Sequence, residues 1–488
     1  MTATGISSAS GVPRAASFPD MLGYGLGECA NSLVMNGLFG FAMLYYTEAL
    51  RLSPALAGIA MSVSVFWEAV SDPVMGYVSD RTRHRFGRRH PWMLAGGLLM
   101  ALCFYFLWDV PESLYGRAMP LFAYLVAVNL LLRTGLTMFF IPYLALGFEL
   151  SSDYEGRSKI QAVRQVMNMA ANFAGPALAW SVFFRDSVGP DGVKILGTAV
   201  PQNFVNMGAA FSFATVFFVL AVLWLTRGWI TDTRTASVAK GEGVGRFWRE
   251  MRQIVLDINA RWVLVFIFFA CVGMVLVSSL QMYVYVYFMG FGPEQKSIAH
   301  GSTMIGMAVG AALSAWVARR LDKKGAVLVG GIVSILCNGV LATLFLTGWV
   351  PVGTAAALAL FVVFHAAFWL GNGILLPTGT AMMADVAELH RRRSGVNNDG
   401  AYSAVFSLSM RLAISFALML SGWTLGAIGF RADTAQGAHT VQTVWRLGAA
   451  TFLAGPLMSL IALAAVVRYP LNRRLITELD DARKGLPE

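Results

Sequence analysis

Long apolar stretches, separated by short polar connections, recur along the whole chain. A helix needs about 20 apolar residues to cross the hydrocarbon core of a bilayer. The pattern predicts twelve such spans, over residues 20–48, 54–79, 91–110, 119–149, 160–185, 204–226, 258–289, 297–318, 326–348, 353–388, 400–429 and 441–468. Six precede and six follow the longest basic connection. The expected organisation is an all-α membrane protein: a polar N-terminal tail (1–19), a six-helix bundle (20–226), a linker (227–257), a second six-helix bundle (258–468) and a C-terminal tail (469–488). Ser237 to Gly245, with three glycines and no large apolar run, reads as the flexible middle of that linker.

Composition agrees. Apolar residues make up 57% of the 488 and charged residues 13%, against about 25% charged in ordinary globular chains, and mean hydropathy is +0.61. The net charge of +10 would suit a nucleic-acid partner if it lay on one surface, but it is gathered in alternate connections. Five Lys or Arg fall in Asp80 to Pro91, six in Arg227 to Arg252, four in Arg319 to Lys324, three in Arg391 to Arg393 and five from Arg468 onward. The positive-inside rule then places both termini in the cytoplasm, with an even number of spans. No nucleic-acid partner is expected. The lack of any N-x-[ST] sequon is compatible with a bacterial inner membrane. The first nineteen residues lack the apolar middle of a cleavable signal peptide. All four cysteines sit in apolar segments, so no disulfide framework is expected.

A faint repeat supports two related halves. Gly76-Tyr-Val-Ser-Asp80-Arg81 with Arg88-Arg89, after the second span, is echoed after the eighth by Ala315-Trp-Val-Ala-Arg319-Arg320 with Lys323-Lys324. Parallel halves related about the membrane normal are the architecture of major facilitator transporters.

Charge at membrane depth carries the chemistry, because each ionised group near a helix centre costs roughly 2.5 to 3.5 kcal/mol on insertion and calls for a cavity or a partner. The candidates are Glu28, Glu68, Asp72, Arg133, Arg164 and Arg411, with His365. Glu68 and Asp72, four residues apart, share one helix face one turn apart. Two adjacent anions attract Na⁺ or hold a proton. The alternative is that one carboxylate bonds Arg164 or Arg411 permanently while the other meets water. Arg133 would pair with Glu28 or line the cavity. Asp80, Arg81, Arg88 and Arg89, with Asp385 at the end of the tenth span, read as a cytoplasmic gate or as topology signals. Asn31, Trp67 and Asn372, together with Phe140, Tyr143 and Trp369, offer planar polar groups and aromatic platforms to a solute, or simply join helices. No nucleotide-binding loop, metal-ligand spacing or catalytic triad pattern occurs, so no enzyme activity and no cofactor are expected.

In sequence order, Tyr24-Gly-Leu-Gly27, Tyr45-Tyr46-Thr47-Glu48, Trp67-Glu-Ala-Val-Ser-Asp72-Pro73-Val-Met-Gly76, Gly87-Arg-Arg89, Pro91-Trp92, Ile141-Pro142-Tyr143, Met383-Ala384-Asp385 and Asn398-Asp-Gly400 with Arg411 resemble the glycoside-pentoside-hexuronide:cation symporters of the major facilitator superfamily. The resemblance spans nearly the whole chain. It implies alternating-access symport of a small polar solute, a sugar or glycoside, with Na⁺ or H⁺, and no obligatory protein partner. It places Glu68, Asp72 and Thr137 at the cation site, Arg164 and Arg411 as counter-charges near the cation and substrate, and Glu28 against substrate hydroxyls. Ser32 and Phe140 stand where galactoside carriers of the family have sugar-binding carboxylates, which removes two charge-assisted acceptors. Glu68 replaces the usual Asp. The rival solutes are lysophospholipids, other amphiphiles or drugs for export; the remote rival is a membrane sensor that transports nothing.

Overall fold

The computed structural model describes residues 17–150, 154–188, 194–230, 251–394, 399–430 and 439–470. Most of the expected linker and C-terminal tail, all but the last few residues of the N-terminal tail, and Asn398 lie outside them.

The helices follow the apolar stretches. In the N-terminal half they are α1 (Phe18–Asn36), α2 (Pro54–Arg81), α3 (His90–Trp108), α4 (Ala118–Glu149), α5 (Tyr154–Leu178) and α6 (Pro201–Leu225). The C-terminal half begins with α7 (Ile258–Tyr283). The next helical run, Pro293–Leu346, is broken at Asp322, whose φ of 64° and ψ of 165° turn the chain. It therefore supplies two arms, α8 before the break and α9 after it. Three helices complete the half: α10 (Ala355–Ser394), α11 (Asp399–Ala427) and α12 (Val441–Val467). Short π-helical turns extend α1, α5 and α7. A two-residue hairpin, with Ser187 opposite Ile195, closes the α5–α6 connection.

Among the described residues nine helical runs are long and apolar enough to cross a membrane on length and composition alone. α1 and α5 are not among them, because both spend apolar positions on polar ones: Glu28, Asn31, Ser32 and Asn36 on α1, and Arg164, Asn168 and Asn172 on α5. Helices that face a polar interior cannot be apolar all round. These two pack along each other in the N-terminal half.

Bonds within each half hold its ends. His90, at the start of α3, meets the Thr226 hydroxyl at 3.1 Å, and Ser17 caps α1 in a capping box with Asp20. Small residues allow the closest helix crossings. A Cβ on Gly306 of α8 would lie 2.1 Å from the Ala366 carbonyl oxygen of α10. Between the halves, α2 meets α11 just as closely, and a Cβ on Gly422 would lie 2.2 Å from the Pro54 carbonyl oxygen.

The halves also touch through Thr47 Oγ1 and Tyr283 Oη, 2.6 Å apart, through the Tyr287 hydroxyl on Glu48, and through Phe173 of α5 beside Gly301 of α8. All these contacts lie toward the end of the bundle opposite the basic α2–α3 and α8–α9 loops. The molecule is closed at that end.

Candidate functional site

α2 presents Glu68 and Asp72 one turn apart, as their spacing requires, and the two face a set of basic and hydroxyl groups from α4 and α11. Glu68 is fully buried. Its Oε1 accepts from Arg133 Nη1 of α4 at 2.8 Å, and its Oε2 accepts from Arg411 Nη1 of α11. Arg411 Nη2 also reaches Asp72 Oδ2, at 3.1 Å. Thr137 Oγ1 donates to Asp72 Oδ1 at 2.7 Å, and Ser71 Oγ lies 3.1 Å from Thr137 Oγ1. Buried carboxylates are tolerated where ionic and hydrogen-bond partners replace water, and each of these oxygens has at least one.

One guanidinium thus crosses from the C-terminal half to both carboxylates of the N-terminal half. Arg133 belongs to the same half as Glu68 and is 1% exposed. It pairs with Glu68, not with Glu28, because α4 lies against α2 where α1 lies against α5. Arg164 takes the Glu28 pairing instead, at 3.2 Å. The two carboxylates therefore share Arg411, and neither is bonded by Arg164.

Glu28 opens a ladder of polar side chains between α1 and α5. Asn168 Nδ2 donates to Glu28 Oε2 at 3.2 Å and to Ser32 Oγ at 3.0 Å. Asn172 Nδ2 donates to Asn168 Oδ1 at 2.9 Å, and Asn36 Nδ2 donates to Asn172 Oδ1 at 2.8 Å. Asn31 is within hydrogen-bonding reach of Glu28. Of these residues the sequence singles out Glu28, Asn31, Ser32 and Arg164, and not Asn36, Asn168 or Asn172. The signal was present in the matching intervals of four: 28, 32 and 36 on α1 against 164, 168 and 172 on α5.

A cavity of about 440 Å³ lies between the halves, within the size range of small-molecule sites. α5 lines one side with Gln165, Asn168 and Asn172, while α8 and α10 line the other with apolar groups that include Met304, Met307 and Leu376.

Other expected residues lie elsewhere. Trp67 is 41% exposed and donates its indole N–H to Thr134 at 2.9 Å. Asn372 is buried and donates to Ser334 Oγ of α9 at 2.9 Å and to the Phe368 carbonyl at 3.0 Å. Its amide joins α9 to α10 instead of lining the cavity. Tyr143 is buried in a stack with Tyr24, centroids 4.5 Å apart. His365 and Trp369 are buried among α7 and α10 side chains.

The residues expected at a cytoplasmic gate or as topology signals form two matching clusters, each inside one half. In the N-terminal half Arg89 bonds Asp80 at 2.6 Å and Glu149 at 3.1 Å, and Arg88 bonds Glu149 at 2.8 Å. Arg81 stacks on Tyr77 at 3.5 Å. In the C-terminal half Lys323 bonds Asp385 at 2.6 Å. The faint repeat thus has a structural counterpart: a basic loop residue after α2 or α8 grips an acid at the end of α4 or α10.

The comparisons with known proteins agree with this architecture. An uncharacterized symporter of Synechocystis is 25% identical over 95% of this chain and 96% of its own length. An Escherichia coli protein named "Putative glycoside/cation symporter YagG" is 24% identical over 85% of this chain and 84% of its own. A sodium-dependent lysophosphatidylcholine symporter of Danio rerio is 21% identical over 92% and 85%. The crystal structure of the nucleoside transporter NupG matches in fold with a TM-score of 0.64 at 14% identity, covering 93% of this chain and 100% of that one. The described residues form two halves with a cavity between α5 of one and α8 and α10 of the other, the sequence profile of the MFS/sugar transport proteins matches residues 23–473, and the chain belongs to that family of membrane transporters.

Proposed function

We propose that this protein carries a sugar or glycoside across the membrane together with a cation, Na⁺ or H⁺, by alternating access. The reading rests on Arg411 of one half bridging Glu68 and Asp72 of the other. A guanidinium occupies the position that a coupling cation would compete for, and it is tethered to the half that must move. When the cation takes Asp72, Thr137 and Ser71 as ligands, Arg411 is released and the inter-half tie at mid-depth is loosened. The ion and the solute then share one conformational equilibrium, which is what reciprocal coupling requires.

The polar α1–α5 ladder supports a hydroxylated solute, since Asn168, Asn172 and Gln165 offer both donors and acceptors. The name borne by the Escherichia coli relative points the same way. With the basic loops in the cytoplasm, as the positive-inside rule places them, the closed end faces outward and the protein is a bacterial inner-membrane carrier with cytoplasmic termini. Asp80, Arg81, Arg88, Arg89 and Asp385 then form its inner gate, exchanging partners as the halves rock. It works without a cofactor or a protein partner.

The test is uptake by proteoliposomes of the purified protein under an imposed Na⁺ or pH gradient, over a panel of sugars and glycosides. Accumulation should follow one of the gradients, and Asp72→Asn should abolish the ion dependence while the protein remains inserted. Unchanged ion dependence in that variant would refute the assignment.

The second reading is an amphiphile such as a lysophospholipid. It is favoured by the apolar α8 and α10 wall of the cavity. Accumulation of lysophosphatidylcholine with no response to any sugar would establish it.

A further inference from the structure

Beyond the acid pair and the α1–α5 ladder, the C-terminal half carries a second group of buried polar side chains. Gln281 and Tyr285, on α7 and its extension, meet His365 and Trp369 of α10, with His300 of α8 nearby. All five are buried. Three of them converge on one imidazole nitrogen: Gln281 Oε1 lies 2.9 Å from His365 Nε2, Trp369 Nε1 3.2 Å and Tyr285 Oη 3.4 Å. An in-plane ring nitrogen offers one proton or one lone pair, so it cannot serve all three. Meanwhile His365 Nδ1, Gln281 Nε2 and both ring nitrogens of His300 have no hydrogen-bond partner among the described residues. Buried polar groups are almost always satisfied, and a cluster that is oversubscribed at one atom and unused at four others calls for another polar partner.

Position identifies the partner. His300 precedes the cavity-lining Met304 by four residues on α8, and Trp369 precedes Gly373 by four on α10. Each therefore sits about one turn, roughly 6 Å along its helix, from a lining residue, on the side where the halves close. Through these two helices the cluster adjoins the cavity toward the closed end without lining it. It contains no carboxylate and no guanidinium; it consists of an amide, two imidazoles, a phenol and an indole.

We infer that Gln281, His300 and His365, with Trp369 as platform, form a second solute subsite, which binds the hydroxyl groups of a neutral sugar ring from the C-terminal half. This rests on the sugar reading above and adds to it the residues by which the C-terminal half takes hold. Planar amide and imidazole groups can donate and accept in one plane, as a ring bearing several hydroxyls demands. An indole face covers the apolar C–H side of such a ring.

The test uses the full chain purified in detergent and thermal-shift titration with neutral pentoses, hexoses and methyl glycosides. His300→Phe removes two ring nitrogens that bond nothing within the protein, so its ligand-free unfolding midpoint should equal or exceed that of the wild type. Its half-saturating concentration for the best wild-type sugar should rise about tenfold or more, the effect of about 1.4 kcal/mol. His300→Gln, which keeps a donor and an acceptor, should recover part of that loss. Gln281→Leu should weaken binding to a similar degree. Binding by His300→Phe equal to the wild type would overturn the subsite, and so would a lower ligand-free midpoint, which would make His300 structural. A wild-type protein unmoved by every sugar on the panel would overturn the sugar reading itself, and the subsite with it.

Discussion

Glu68→Gln is the substitution whose cost the structure defines most sharply. Glu68 is fully buried between two guanidiniums, Arg133 at 2.8 Å and Arg411. The substitution keeps the shape and removes the charge. Arg411 retains Asp72 at 3.1 Å and is 21% exposed, so it keeps a counter-ion and some water. Arg133 is 1% exposed, and its other close neighbours are the Met35 sulfur at 3.6 Å and the Phe39 ring at 5.5 Å, neither of which replaces a carboxylate. Stranding a buried charge costs about 3 to 5 kcal/mol. The reverse change, Arg133→Gln, leaves Glu68 with Arg411 and should cost less, about 1 to 3 kcal/mol. The double variant strands neither charge, because a buried ion pair replaced as a unit is often neutral. The expected order of stability in detergent is therefore wild type and the double variant together, then Arg133→Gln, then Glu68→Gln, with a coupling energy as large as the two single effects combined, about 4 to 8 kcal/mol. Chemical denaturation followed by tryptophan fluorescence would measure it. If Glu68→Gln matched the wild type, or if the two single effects simply added, the Arg133–Glu68 pair would not be the buried unit described here.

Arg411→Gln should remove the mid-depth tie between the halves, leaving Glu68 with Arg133 and Asp72, 18% exposed, with the Thr137 hydroxyl and water but no counter-charge; cation affinity should rise as the internal competitor disappears, while coupled uptake falls. Gly422→Leu places a side chain against the Pro54 carbonyl and should hold the halves apart at the closed end, seen as increased labelling of a cysteine introduced at position 47 by a reagent confined to that side. Asn372→Ala should cost about 1 kcal/mol of stability through the lost bond to Ser334 and leave solute affinity unchanged, because the amide serves the α9–α10 contact; a large affinity loss would return it to the solute site.

Much of this protein was legible in one dimension. Span positions follow from hydropathy because a bilayer demands a minimum apolar length and internal satisfaction of every backbone bond. The division into halves follows from the placement of basic residues, and the candidate charges follow from the cost of burying any ionised group. Glu68 and Asp72 were placed on one face by helical spacing alone. Which base meets which acid was not legible. Arg133 and Arg164 are both basic groups on polar helix faces, and only the packing of α4 against α2 and of α5 against α1 assigns the first to Glu68 and the second to Glu28. Asn372 and His365 look alike in sequence, as lone polar residues in an apolar helix. The fold spends Asn372 on a neighbouring helix and leaves His365 in a cluster with atoms unserved. Neutral amides such as Asn168 and Asn172 carry too little insertion cost to stand out, and they became a wall of the cavity only when α1 brought a matching row against them. A pairwise contact depends on which faces the tertiary packing turns toward each other, and residue type and local period leave that choice open.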